Sequence, residues 1–177
     1  TVSAVNDAPV LATVSNVSFD EDGTTSITLS ASDIDEDALT FSITNGTDIV
    51  ASLDGSDVLF SAPDNFNGSE SFTITVTDGE LTSSSATATI IVNAVNDAPV
   101  SADVSSTTDE DTSVQITLSG SDIDSSDLSY LVDENSSNGD VSITDNIATF
   151  TPDLDFNGTT TFTYLVTDGE LTSSSAT

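Results

Sequence analysis

Residues 71–92 read SFTITVTDGELTSSSATATIIV, and both ends of this stretch alternate. Phe72, Ile74 and Val76 fall on one face of an extended segment and Thr73, Thr75 and Thr77 on the other, because successive strand side chains point to opposite faces. Ala86, Ala88, Ile90 and Val92 repeat the pattern, and Asp78-Gly79 between them is a hairpin turn signal. Upstream, SITLSAS (26–32), ALTFSIT (38–44) and DVLFSA (57–62) read as further strands. No stretch carries a helical period.

The same text is written twice. TDGELTSSSAT begins at Thr77 and again at Thr167, and AVNDAPV begins at Ala4 and again at Ala94, each a spacing of 90. SDID begins at Ser32 and Ser121, a spacing of 89, and the lost residue returns in PDLDFNG (152–158), one residue longer than PDNFNG (63–68). Counterpart strands fall at 114–120, 128–133, 141–144, 147–151 and 161–167. About seven short strands in roughly 90 residues, joined by polar turns, indicate an antiparallel β-sandwich of immunoglobulin-like type. The chain is therefore expected to be all-β, with two tandem sandwich domains at 6–95 and 96–177. Residues 1–5 read as the tail of a preceding repeat, and the second domain's last strand is expected to be truncated.

Composition narrows the function. The 177 residues include 31 Asp and Glu but no Lys, Arg, His or Cys, for a net charge of −31. With no basic side chain, a group of carboxylates has no side-chain salt-bridge partner and must stay solvated, protonate or bind a cation. The charge repels nucleic acid and anionic membrane, and no apolar run is long enough to span a bilayer. Without cysteine there is no disulfide framework and no thiolate metal site.

Three acidic motifs recur near predicted strand ends. They are DEDG (20–23) with DEDT (109–112), SDIDED (32–37) with SDIDSSD (121–127), and the turn residues Asp78 and Asp168. NDAP joins the units. Asp-x-Asp in an extended segment sets two carboxylates on one side, and Ca²⁺ takes six to eight oxygens from carboxylates, amides and carbonyls. An EF-hand does not fit, since Ala38 stands where the loop needs Gly and Thr44 where it needs Glu. A solvated acidic surface is the competing reading for any one Asp. Recurrence of the same acids at the same strand ends favours a cation site.

The ordered set DEDG, SDIDEDALTFSI, PDNFNGSESFTITVTDGE and ATIIVNAVNDAPV resembles the tandem cadherin-like repeats of large bacterial surface adhesins, over essentially the whole chain. In cadherins, calcium is held at the junction between successive domains. The resemblance implies a Ca²⁺ junction built from Glu21, with Asp64 as a further contributor, then Asn96 and Asp97 of the linker, and Asp122, Asp124 and Asp168 of the second domain. A half-junction would use Asn6, Asp7, Asp33, Asp35 and Asp78, and Glu110 would serve a following junction. Ala94 and Ala98 replace two linker ligands of animal cadherins, and the Asp-Arg-Glu motif is absent, which implies fewer ions.

The function that follows is a calcium-rigidified extender of a bacterial adhesin, on the cell surface or secreted, with neighbouring repeats of the same chain as its partners. The alternative is a calcium-dependent module that binds polysaccharide or another copy of itself. Against that alternative, there is no Trp, and Tyr130 and Tyr164 occupy strand positions whose counterparts, Phe41 and Ile74, read as core. An enzyme is not expected, because acids spread over strand ends do not flank a cleft.

Overall fold

In the computed structural model, which describes residues 1–177, the chain divides into two units, Thr1–Val95 and Asn96–Thr177. Both are all-β, and no helix is present, so none is long and apolar enough to cross a membrane. Two tandem immunoglobulin-like sandwiches are what the alternating sequence led us to expect.

Unit 1 contains β1 (Val10–Leu11), β2 (Val17–Asp20), β3 (Thr24–Thr28), β4 (Ala31–Ser32), β5 (Thr40–Ile43), β6 (Val50–Asp54), β7 (Asp57–Ser61), β8 (Gly68–Thr77) and β9 (Ala86–Asn93). One sheet has the order β2-β9-β8-β5, a second β3-β7-β6, and a short pair joins β1 to β4. The 71–92 stretch supplies the two central strands of the larger sheet, with Ile74 opposite Ala86 and Gly68 opposite Val92. Its alternating residues Phe72, Ile74, Ala88 and Ile90 are fully buried. They meet Phe60 of β7 from the other sheet, and Phe60 and Phe72 pack edge to face with ring centroids 5.3 Å apart.

Three features depart from the sequence reading. The Asp78-Gly79 turn does not join β8 directly to β9. It closes a small loop through a Thr77–Thr82 bridge, and the chain travels on before β9 begins at Ala86. One pair is parallel, β2 with β9. The single strand expected at 26–32 is split, because Leu29 is buried and its N–H is taken by the Ser56 carbonyl at 2.7 Å. Residues before it pair with β7, and residues after it pair with β1.

Glu70 of β8 closes the 44–49 loop by accepting from the amides of Thr47 and Asp48, both at 2.8 Å. The Asp48 amide is the main cause holding this carboxyl below its ordinary value of 4.5, against an opposing effect of burial and with help from Thr47. A carboxylate whose folded value is depressed is protonated more readily in the unfolded chain. Its stabilisation is complete above about pH 4.5 and is lost as pH falls through the lower folded value. The melting temperature of unit 1, followed from pH 6 downward, should therefore fall less steeply below about pH 4.5 in Glu70→Gln than in the parent chain.

Unit 2 contains β10 (Val100–Ala102), β11 (Val114–Thr117), β12 (Ser119–Ser121), β13 (Ser129–Glu134), β14 (Gly139–Thr144), β15 (Ile147–Pro152) and β16 (Thr163–Thr167). Its sheets are β11-β15-β14, β13-β16 and β10-β12. The strand expected at 114–120 is split at buried Leu118, repeating the break at Leu29. Tyr164 is fully buried at the position matching Ile74. Its hydroxyl accepts from the Ser119 amide at 3.2 Å and faces the Ala102 and Ser119 carbonyls as donor, so the polar tip is satisfied inside the core. Tyr130 is half-buried beside it, with ring centroids 6.3 Å apart.

Candidate functional site

The acidic motifs of unit 1 form a chain of hydrogen bonds at its N-terminal linker. Asp33 Oδ1 accepts from the Asp35 amide at 2.8 Å, and Asp35 Oδ2 accepts from the Asp7 amide at 2.8 Å. Asn6 donates through Nδ2 to Asp78 Oδ2 at 2.9 Å. Asp78 Oδ1 accepts from the amides of Glu80 and Leu81, both at 2.7 Å. That last pair exists because Gly79, at φ +100°, bends the backbone tightly enough to turn two amides toward one oxygen.

Unit 2 repeats the network. Asp122 Oδ1 accepts from the amides of Asp124 and Ser125, and Asp124 Oδ2 accepts from the Asp97 amide at 2.8 Å. Asn96 donates to Asp168 Oδ2 at 2.6 Å, and Asp168 Oδ1 takes the amides of Glu170 and Leu171, with Gly169 again at φ +100°. The sequence spacing of 89–90 residues thus reproduces a three-dimensional arrangement. Asn6, Asp7, Asp33, Asp35 and Asp78 come together in unit 1, and Asn96, Asp97, Asp122, Asp124 and Asp168 in unit 2.

These bonds shift the turn acids. Asp78 is held below the usual carboxylate range first by the Leu81 amide, then by Glu80 and Asn6. For Asp168 the Asn96 side chain is the leading cause, followed by the Leu171 and Glu170 amides. Backbone and amide donors do here what Lys and Arg do elsewhere.

They do not satisfy every oxygen. Asp33 Oδ2 and Asp122 Oδ2 are buried and have no hydrogen-bond partner. Glu21 behaves alike at the far end of unit 1. Its side chain is buried, Oε1 accepts from the Val95 amide at 2.5 Å, and Oε2 is buried with no partner. A buried carboxylate oxygen without a donor is costly, and this chain has no basic side chain to supply one. A hard cation that prefers oxygen ligands fits that donor set.

The structure also separates some of the expected residues. Glu21 sits at the end of β9 and takes no part in the Asn6–Asp78 network of its own unit. Asp64 and Glu110 are both exposed. One acid was passed over as a ligand: the carboxylates of Asp33, Asp35 and Asp37 lie within 4.8 Å of one another. The i, i+2, i+4 spacing in SDIDED was the available signal. Unit 2 cannot match it, because Ser126 stands at the position of Asp37.

A bacterial Ig domain family model matches residues 6–91 and again 96–177. No curated protein matches the sequence. Among solved structures, human protocadherin-24 EC1-2 superposes with a TM-score of 0.51 at 18% identity, covering 92% of this chain and 87% of that one. The human desmocollin-1 ectodomain gives 0.45 at 13% identity over 96% of this chain and 36% of its own. A Bacteroides ovatus glucan-utilization protein, SGBP-B, in complex with a mixed-linkage heptasaccharide, gives 0.35 at 17% over 98% and 48%. At these identities the likeness to protocadherin-24 is one of fold.

Proposed function

This chain belongs to the bacterial Ig domain family, in two tandem copies, and from that premise we propose that it is a calcium-stiffened extender of a bacterial surface adhesin. The observation that carries the reading is the set of buried, partnerless carboxylate oxygens on Asp33, Asp122 and Glu21 in a chain with no basic side chain.

In this reading Asn6, Asp7, Asp33, Asp35 and Asp78 hold Ca²⁺ at the start of unit 1. Asn96, Asp97, Asp122, Asp124 and Asp168 do so at the start of unit 2. Glu21 offers a further oxygen in unit 1, where its carboxylate already takes the amide of Val95. The ion supplies positive charge and nothing chemical beyond it. The protein's residues orient oxygens toward it, and the amide bonds to Asp33 Oδ1 and Asp122 Oδ1 leave each Oδ2 free to point inward. A linker whose acids repel one another is loose, and one whose acids share an ion is stiff. The role is structural, extracellular, and exercised between neighbouring repeats.

Calorimetric titration of the full chain with Ca²⁺, beside the double variant Asp33→Asn with Asp122→Asn, tests the reading. We expect uptake by the parent chain and a loss of at least about tenfold in affinity in the variant, the scale already produced by changes outside the immediate ligand set. Circular dichroism confirms that the variant is folded. Equal uptake by both chains, or none by the parent, overturns it.

A further inference from the structure

The acidic loops of the two units share their first four residues, SDID, but not their backbone. In unit 1 the chain turns between Asp35 and Asp37 through Glu36 at φ +64°, a left-handed conformation that strains a residue other than glycine. In unit 2 the counterpart Ser125 is not at positive φ, and its amide joins that of Asp124 on Asp122 Oδ1. The Ser125 hydroxyl then closes on Asp127, accepting from its amide at 3.1 Å and donating to its carbonyl at 3.4 Å.

Beyond the turn at Glu36, a third acid joins the first two. The carboxylates of Asp33, Asp35 and Asp37 lie within 4.8 Å of one another, whereas unit 2 has Ser126 in place of Asp37 and no such trio. Two oxygens on opposite sides of one Ca²⁺ are about 5 Å apart, twice the usual ligand distance of about 2.3–2.6 Å. Three carboxylates at this spacing can therefore share one ion. Two of them are already oriented, since Asp33 Oδ1 and Asp35 Oδ2 each accept a backbone amide, and Asp33 Oδ2 is buried with no partner. Asp37 is exposed, and with no Lys or Arg in the chain no side chain neutralises it.

We propose that Asp37 is a third carboxylate ligand that sets the calcium level at which the unit 1 linker stiffens, a setting that Ser126 withholds from unit 2. This role rests on the calcium reading above, since Asp37 has nothing to tune in a linker that binds no ion. Affinity in oxygen-ligand sites is tuned over decades by the number of charged ligands. With Asp37 the unit 1 set has five carboxylates, on Asp7, Asp33, Asp35, Asp37 and Asp78. Unit 2 has four, on Asp97, Asp122, Asp124 and Asp168. In an array, repeats that differ at this one position would take up calcium at different concentrations on the same sandwich.

A calcium titration of the full isotope-labelled chain, followed by NMR, gives each unit its own midpoint. The Glu80 and Leu81 amides report unit 1 through Asp78, and the Glu170 and Leu171 amides report unit 2 through Asp168. Asp37→Asn is expected to raise the unit 1 midpoint roughly tenfold and to leave unit 2 in place. Glu36→Gln removes the same charge from a residue outside the trio and should leave both midpoints in place. Unshifted amides at Phe72 and Ile74 confirm that Asp37→Asn keeps the core. An unmoved unit 1 midpoint, equal shifts in both units, or an equal shift from Glu36→Gln overturns the role of Asp37 and leaves the calcium reading standing. A parent chain whose amides ignore calcium overturns both.

Discussion

Excess Ca²⁺ is expected to raise the unfolding transitions of this chain by roughly 10–20 °C over those in chelator. A site filled at a hundred times its dissociation constant stabilises the folded state by about 2.7 kcal/mol. A domain of this size moves by about 4–8 °C per kcal/mol. The gain is large because the chelated state is poor: Asp33 Oδ2 and Asp122 Oδ2 are buried without a donor, and Asp33 lies beside the carboxylates of Asp35 and Asp37. Differential scanning calorimetry in Ca²⁺, Mg²⁺ and chelator, at matched ionic strength, makes the comparison. Mg²⁺ is the decisive control, since it screens the net charge of −31 as well as Ca²⁺ does but sheds its water reluctantly and demands a tighter octahedron. A rise with Ca²⁺ and little with Mg²⁺ assigns the effect to a site. Equal rises assign it to screening and remove the mechanism by which the extender would stiffen.

Much of this was legible in the residues, for reasons that differ from place to place. The central strand pair could be read, though not its connection, because Phe72, Ile74 and Val76 alternate with threonines, and a face buried at that period leaves a period-two trace. The split at Leu29 could not, because SITLSAS keeps its alternation while the backbone changes partner from β7 to β1. Nor could β6, whose Val50 is exposed and whose inward residues are only Ala51 and Leu53. The acid networks were legible as sets, because an 89–90-residue repeat duplicates whatever the first copy builds. Which oxygen of each acid is satisfied was not. That depends on the amides of Asp35, Asp124 and Ser125 turning toward Oδ1, a matter of loop geometry with no compositional signature.

The second large effect concerns matched phenylalanines. Phe72→Ala is expected to destabilise unit 1 by about 3–5 kcal/mol, because the ring is fully buried, packs edge to face on Phe60 and would leave a cavity that the paired sheets cannot close. Phe162→Ala should cost unit 2 roughly half the burial value of a Phe side chain, about 1–1.5 kcal/mol, since that ring is only half-buried. Calorimetry of the two single variants, with the transitions of the two units followed separately, reads both costs. Equal costs would mean that Phe162 is as enclosed in solution as Phe72, against the difference in burial between the two rings.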